Sequence, residues 1–217
     1  MPIWIKLNTQ NRNSPLIEHL VFFHDHTLII LTIVTTLTIL SLTISSLGSF
    51  NRYFLEAQNM ELFWTIVPAL ILIFIAIPSL KTLYLIEENL VPLITVKITG
   101  YQWFWSYEYL NIKIFKFNST INQSNPMRLL STSSNLILPN LTPTRALVSS
   151  KDVIHSWAIP RLGVKVDAIP GRINQTLLLI KRPSIILGQC SEICGAGHRF
   201  MPIVLESPSI KTFINKL

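Results

Sequence analysis

The sequence predicts two membrane-spanning helices in an antiparallel hairpin, followed by an all-β domain outside the membrane. Two uncharged runs, 27–47 and 62–80, are long enough as helices to cross a hydrocarbon core of about 30 Å. After Asn89, short segments of alternating apolar and polar residues are separated by turn residues, which is typical of β-strands. With 49% hydrophobic and 13% charged residues, the chain is too apolar for an ordinary soluble domain.

The predicted segments follow from these patterns. They are an N-terminal segment 1–21, a first span 22–48, a connecting loop 49–60, a second span 61–87 and an extramembrane domain 91–217. The short loop makes the spans antiparallel, so both chain ends face the same compartment. We expect an uncleaved anchor, because the first apolar run starts late and lacks a small-residue cleavage site. Pro68 and Pro78 remove backbone donors inside the second span, so this helix should be kinked or packed against neighbouring helices that satisfy the freed carbonyls.

The positive charge does not indicate a nucleic-acid-binding protein. The net charge is +7, but Lys and Arg are scattered and do not alternate with aromatic residues. His19, His24 and His26 near the first span are compatible with a metal site or with the boundary between headgroups and hydrocarbon. We favour the boundary, where polar residues commonly mark the end of a span.

Residues 188–202, GQCSEICGAGHRFMP, carry the most informative pattern. This segment places Cys190, Cys194, His198 and Met201 close together, and its cysteines are the two in the chain. The spacing would also put them on one face of a helix. However, several Gly residues and a Pro make a continuous helix improbable, so the segment is interpreted as a loop between strands.

Three interpretations of the cysteine pair remain open at this point. A disulfide would leave the histidine and methionine without a role, and methionine is not a usual zinc ligand. Copper accounts for more of the residues, because thiolate and thioether are soft donors. Two thiolates could bridge two coppers if a second histidine and one further donor were available. His155, in VIHSWAIP, is the candidate histidine, and a backbone carbonyl of the loop could supply the remaining donor.

The sequence also resembles the subunit II family of haem–copper cytochrome c oxidases, particularly its mitochondrial form. The resemblance is carried by WTIVPA, PSLKTLY, QWFWSYEY, DVIHSWAIPRLGVKVDAIPGR and GQCSEICGAGHRFMPIVLE. It implies a cupredoxin-like β domain that takes electrons from cytochrome c and passes them to the haem and copper centres of subunit I. There, oxygen is reduced to water with proton pumping. It further implies the mitochondrial inner membrane, other oxidase subunits as partners, and both termini with the copper domain in the intermembrane space.

The resemblance also assigns roles to individual residues. It implies a binuclear copper A centre with the ligands His155, Cys190, the main-chain carbonyl of Glu192, Cys194, His198 and Met201. The Glu192 side chain would bind a magnesium ion shared with subunit I. Trp103 would receive the electron at the docking surface, and Glu61 would lie near the entrance of a proton path.

The aromatic run has a periodicity of its own. Its alternate positions predict one shared strand face, which is usually a core face, for Tyr101, Trp103, Trp105, Tyr107 and Tyr109. Periodicity alone does not distinguish Trp103 from the other rings.

The predicted docking surface for cytochrome c is less acidic than is usual in the family. Glu108, Asp152 and Asp167 remain, but serine and threonine occupy 131–134, and Lys151 precedes Asp152. We therefore expect salt to slow reduction by cytochrome c less steeply than in an acidic relative.

Overall fold

The computed structural model describes residues 11–48, 56–87, 91–111, 115–122 and 129–216. The chain divides into a helical unit, His19–Glu87, and a β unit composed of Met1–Glu18 and Glu88–Leu217. Residues 11–18 therefore belong with the β domain, although His19–Glu87 separates them from the rest of it in sequence.

The helical unit contains two long apolar helices, α1 (Pro15–Leu47) and α2 (Gln58–Glu87). Their most apolar windows have mean hydropathies of 2.3 and 2.4, and no part of either window is buried within the chain. Ser14 caps α1, because its Oγ accepts a hydrogen bond from the Ile17 N–H at 3.2 Å. The span limits 22–48 and 61–87 stay predictions, since a helix end does not mark the edge of the lipid.

A hydrogen bond joins the two helices at the second proline of α2. Pro78 has no N–H, so the Phe74 carbonyl four residues earlier lacks its helical donor. The His26 Nε2 of α1 lies 3.3 Å from this carbonyl oxygen. Because a carbonyl only accepts, His26 is the donor, which places its proton on Nε2. A neighbouring helix therefore satisfies the carbonyl that Pro78 leaves without a helical donor.

The β domain is a sandwich of two five-stranded sheets. Its strands are β1 (Ile94–Tyr101), β2 (Phe104–Tyr109), β3 (Phe115–Ser119), β4 (Leu136–Ile137), β5 (Thr144–Ser150), β6 (His155–Ile159), β7 (Val164–Ala168), β8 (Asn174–Leu178), β9 (Ser184–Cys190) and β10 (Pro202–Ser207). One sheet has the order β3-β2-β1-β5-β8, and the other has the order β4-β10-β9-β6-β7. The predicted helical hairpin with an all-β domain is confirmed. A short helix, α3 (Ile210–Lys216), ends the described chain and was not predicted.

The aromatic run forms a hairpin and not a single strand. Trp105, Tyr107 and Tyr109 of β2 are buried in the core between the sheets. The chain reverses after Tyr101, so Trp103 lies in the turn between β1 and β2 and is 39% exposed. The prediction that all five rings share one strand face is therefore wrong at Trp103, and also at Tyr101, which ends β1 and stacks on Phe104. This reversal brings the indole to the end of the sandwich that carries the cysteines.

Candidate metal centre

His155 begins β6 and is completely buried. Its Nε2 lies 2.8 Å from Asp152 Oδ1, so the carboxylate accepts a hydrogen bond from the Nε2 N–H and fixes the orientation of the ring. The other ring nitrogen, Nδ1, is buried and has no hydrogen-bond partner within the described chain. A Cβ on Gly100 would lie 2.7 Å from His155 Cδ2, so the ring packs on a backbone without a side chain. Nδ1 is therefore the atom available to a metal.

Cys190 and Cys194 approach this nitrogen from the other side of the site. Cys190 ends β9, Cys194 follows in the loop, and both are buried and not disulfide-bonded. The ligand atoms of His155, Cys190 and Cys194 all lie within 4.8 Å of one another. Among the described residues, this is the cluster of His, Cys, Asp and Glu that could hold an ion, whereas the histidines of α1 belong to no such cluster.

The remaining predicted ligands surround the same sulfur atoms. Cys194 Sγ lies 3.5 Å from His198 Nδ1 and 3.4 Å from the Met201 Sδ. Cys190 Sγ lies 3.4 Å from the main-chain carbonyl oxygen of Glu192. His198 stands in a short 3₁₀ turn, His198–Phe200, that returns the chain to β10. The structure thus brings together all six groups that the resemblance implies.

The two thiols have opposite tendencies to ionise. Burial opposes ionisation of Cys190, but the His155 imidazole and neighbouring main-chain groups outweigh it and lower the pKa of this thiol to about 7. Burial and the nearby Cys190 charge raise the pKa of Cys194. Adjacent thiolates repel each other in a buried site, so both become charged only when cations are present. The pair therefore fits a centre with metal cations better than a pair of free thiols.

Trp103 lies against the cysteine loop. Its Nε1 donates to the Cys194 carbonyl at 3.3 Å, and Gln102 Nε2 donates to the same oxygen at 2.8 Å. A Cβ on Gly197 would lie 2.2 Å from Trp103 Cδ2, so the ring packs directly on the glycine backbone. Gly195, at φ +118°, takes a conformation that favours glycine. The glycines therefore shape the loop and also allow the indole to approach it.

Asp152, predicted from the sequence as a docking residue, also holds the ligand His155 in place. Its Oδ1 meets His155, and its Oδ2 accepts from the Gln102 N–H at 2.6 Å, so it joins the β1–β2 turn to the ligand strand. Although burial opposes it, the hydrogen bond from His155 lowers the pKa of this carboxyl. The spacing of Asp and His in DVIH was an available signal, but it did not reveal the contact with Gln102.

The other predicted site residues lie apart from the metal ligands or point away from them. Glu108 pairs with Lys97 at 3.8 Å, and Asp167 of β7 is exposed. The Glu192 side chain is exposed, although its carbonyl faces Cys190. Glu61 lies in the first turn of α2 and is exposed. No role of these side chains follows from the geometry of the single chain.

The donor set distinguishes among the metals. Two thiols, an unpartnered imidazole nitrogen and a thioether make a soft site, and thioether ligation is characteristic of copper and not of zinc. The fold and the site together define a membrane-anchored cupredoxin-like protein with a copper-type centre.

The family described as cytochrome c oxidase subunit II, periplasmic domain, matches residues 94–208, and its transmembrane domain matches residues 2–82. Cytochrome c oxidase subunit 2 of Acheta domesticus is 52% identical over 99% of this chain and 97% of its own length. The corresponding protein of Choristoneura rosaceana is 54% identical with the same coverage. The periplasmic domain of subunit II (CoxB) of Bradyrhizobium japonicum is similar with a TM-score of 0.58 and 40% identity, covering 59% of this chain and 94% of that domain. The chain belongs to the cytochrome c oxidase subunit II family and is a component of an oxidoreductase complex.

Proposed function

We propose that this chain accepts electrons from reduced cytochrome c at a binuclear copper A centre and passes them to the haem and copper centres of subunit I. Oxygen reduction to water, coupled to proton pumping, takes place in the assembled complex. The observation that carries the proposal is the convergence of the buried, unpartnered His155 Nδ1 with the two free thiols of Cys190 and Cys194. Membership of the subunit II family supports it.

The proposed copper ligands are side chains of β6, of the end of β9 and of the segment between β9 and β10, together with one main-chain group. They are His155, Cys190, the Glu192 carbonyl, Cys194, His198 and Met201. Bound here, the copper pair would supply one-electron redox chemistry with the charge shared between two metals. The protein holds the ligands in a fixed arrangement: Asp152 orients His155, and the sandwich buries the sulfur atoms away from water.

Trp103 is the proposed point of electron uptake. It is partly exposed, so a docked partner can reach one side of the indole, while Nε1 bonds to the main chain of Cys194. This arrangement provides a short covalent and hydrogen-bonded connection between the surface and a proposed ligand. The buried Trp105 offers no comparable surface, although it lies on the adjoining strand.

Two further roles are proposed from the family resemblance. The exposed Glu192 carboxylate would bind magnesium together with subunit I, because its carbonyl faces Cys190 while its side chain is free to face a partner. Glu61, exposed at the start of α2, would lie near the entrance of a proton path into subunit I.

Docking of cytochrome c would involve Glu108, Asp152 and Asp167, with limited electrostatic steering. The Asp152 carboxylate is engaged by His155 and Gln102, and Glu108 is paired with Lys97. Charges that are already compensated attract a basic partner less strongly. We predict that the rate of reduction by cytochrome c falls less steeply with ionic strength than in an oxidase with an acidic docking face. Stopped-flow measurements between low and physiological salt test this, and an equally steep slope would contradict it.

The proposed location is the mitochondrial inner membrane. The spans 22–48 and 61–87 would cross the lipid, and loop 49–60 would connect them on the side opposite the copper domain. Segment 1–21 and domain 91–217 would lie in the intermembrane space, where they meet cytochrome c and the other oxidase subunits. The support is the apolar helix pair and the match to the family's transmembrane domain.

Metal analysis of the purified complex, combined with electron paramagnetic resonance, tests the central proposal. We expect a delocalised two-copper signal that is assigned to this chain. Zinc alone in the cysteine site would overturn the proposal. So would a disulfide between Cys190 and Cys194 in the active, assembled complex.

A further inference from the structure

The segment before α1 is bound to the β domain through Asn13, which is fully buried although its neighbours in sequence are polar. Asn13 contacts two loops of the domain, residues 160–162 after β6 and the loop that leads from Lys181 into Ser184, the first residue of β9. This N-terminal residue therefore forms part of the interior of a domain that is otherwise built from the C-terminal half of the chain.

Every polar group of Asn13 has a partner in these loops. Its Nδ2 donates to the Arg182 carbonyl at 3.1 Å and to Ser184 Oγ at 2.8 Å, while its Oδ1 accepts from the Arg182 N–H at 2.9 Å. Its main-chain N–H donates to the Arg161 carbonyl at 3.2 Å, and its carbonyl accepts from the Lys181 N–H at 3.0 Å. The side-chain amide thus pairs with both backbone groups of Arg182, as a neighbouring strand would.

The pairing is specific for asparagine. An aspartate of the same size has no N–H to donate to the Arg182 carbonyl, and a glutamine amide would be displaced by one methylene. Ser14 adds a second contact, because its hydroxyl donates to the Leu162 carbonyl at 2.6 Å. Residues 13 and 14 therefore bind main-chain groups of both loops.

The two loops extend from the strands that carry proposed copper ligands. β6 and β9 pair directly at Trp157–Cys190 and Ala158–Gln189. Asn13 joins the same two chain segments farther along, after β6 has ended and where β9 begins. His155 and Cys190 stand at the other ends of these strands. The N-terminal contact therefore braces the strand pair at the end remote from the metal centre.

We propose that the β domain has a binding groove for the chain's own N-terminal segment, and that residues 11–14, the Asn13 clip, hold β6 and β9 together from within this groove. The docking of the clip is independent of the metal. Its effect on the metal centre rests on the proposed function.

Hydrogen–deuterium exchange on the assembled complex tests the docking, with residue resolution at Lys181 and Arg182. Both amides should exchange slowly in the natural protein, because their acceptors are atoms of Asn13. In Asn13→Ala, exchange at Arg182 should become about tenfold faster or more, since its acceptor is removed. Glu18→Gln is the matched control: it removes a half-exposed ion pair with Lys181 and should leave both amides protected.

Rapid exchange of Lys181 and Arg182 in the natural complex would overturn the proposal, and this measurement requires no variant. An equal effect in Asn13→Ala and Glu18→Gln would also overturn it. A parallel assay measures copper loss to a chelator, which should be faster in Asn13→Ala than in the control. Equal rates of copper loss in Asn13→Ala and Glu18→Gln would refute the proposal that the Asn13 clip holds β6 and β9 together. A complex that lacks copper would refute the proposed function and leave the exchange result intact.

Discussion

The helical hairpin and the β domain satisfy their polar groups over very different sequence distances. In α1, threonine and serine hydroxyls bond to carbonyls three or four residues earlier, as Thr35 does with Leu31. In the domain, Gln102 bonds to Asp152 and to Cys194, which are 50 and 92 residues away. Insertion into lipid favours the first arrangement, because each span must satisfy its own backbone before it meets a partner. The candidate metal centre requires the second, since His155 comes from β6 and its other proposed ligands come from the end of β9 and the segment that follows it.

This difference predicts that a change in the domain can abolish the centre and leave the hairpin intact. In Cys194→Ser, the loss of a thiolate should remove the near-infrared absorption of the copper centre and reduce cytochrome c oxidation more than about 100-fold. Membrane insertion should be normal, because anchoring and ligation use separate segments. Ser191→Ala, which alters an exposed hydroxyl of the same loop, is the control. Failure of the Cys194 variant to insert would contradict this separation.

A second change separates electron uptake from metal binding within the domain. In Gly197→Ala, the new methyl group would meet Trp103 Cδ2 at 2.2 Å, so the indole must move. We expect cytochrome c to reduce the centre about tenfold more slowly, because small displacements strongly affect reacting groups. The copper signal should persist. Ala196→Ser, at the neighbouring exposed position, should behave like the natural protein in stopped-flow reduction. Unchanged reduction in Gly197→Ala would argue against uptake through Trp103.

One hydrogen bond of the hairpin joins residues far apart in the chain, His26 of α1 and Phe74 of α2, and it provides a third prediction. His26→Leu removes the donor to the Phe74 carbonyl and should destabilise the helix pair by about 1 kcal/mol. His26→Gln keeps a donor and should lose less. In a Pro78→Ala background, residue 78 regains its N–H, so the effect of His26→Leu should shrink. Melting temperatures of the four combinations in lipid nanodiscs measure this coupling, and additive effects would exclude it.

The smallest effect is expected at Glu206, a partly exposed carboxylate of the domain. Hydrogen bonds from Asn135 and Lys216 lower the pKa of Glu206 from its ordinary value of 4.5. This carboxylate therefore contributes stability at neutral pH, and the contribution is lost as the pH falls below about 4.5. Glu206→Gln should melt at a slightly lower temperature at pH 7 than the natural protein. Its melting temperature should also fall less as the pH is lowered. Identical melting curves from pH 7 to pH 3 would contradict this.

The sequence indicated which side chains lie near the cysteines better than it indicated what those side chains bind elsewhere in the domain. The loop spacing indicated that Cys190, Cys194, His198 and Met201 lie together, because they are neighbours in the chain. The apolar segment around His155 favours this histidine as a ligand, but the sequence shows none of its contacts. Nothing in the pattern revealed that Asp152 would be bound to Gln102, since the two belong to different parts of the chain and meet only in the folded sandwich.

By itself, the sequence determined the apolar helical hairpin, the β-strand pattern of the domain and the types of metal-ligand atom in the loop. These properties depend on composition and periodicity, which act over a few residues. The tertiary structure alone decided which nitrogen of His155 is available, where the indole of Trp103 lies and what Asn13 binds. Each of these depends on contacts between residues far apart in the chain, and such contacts exist only after the two sheets have packed.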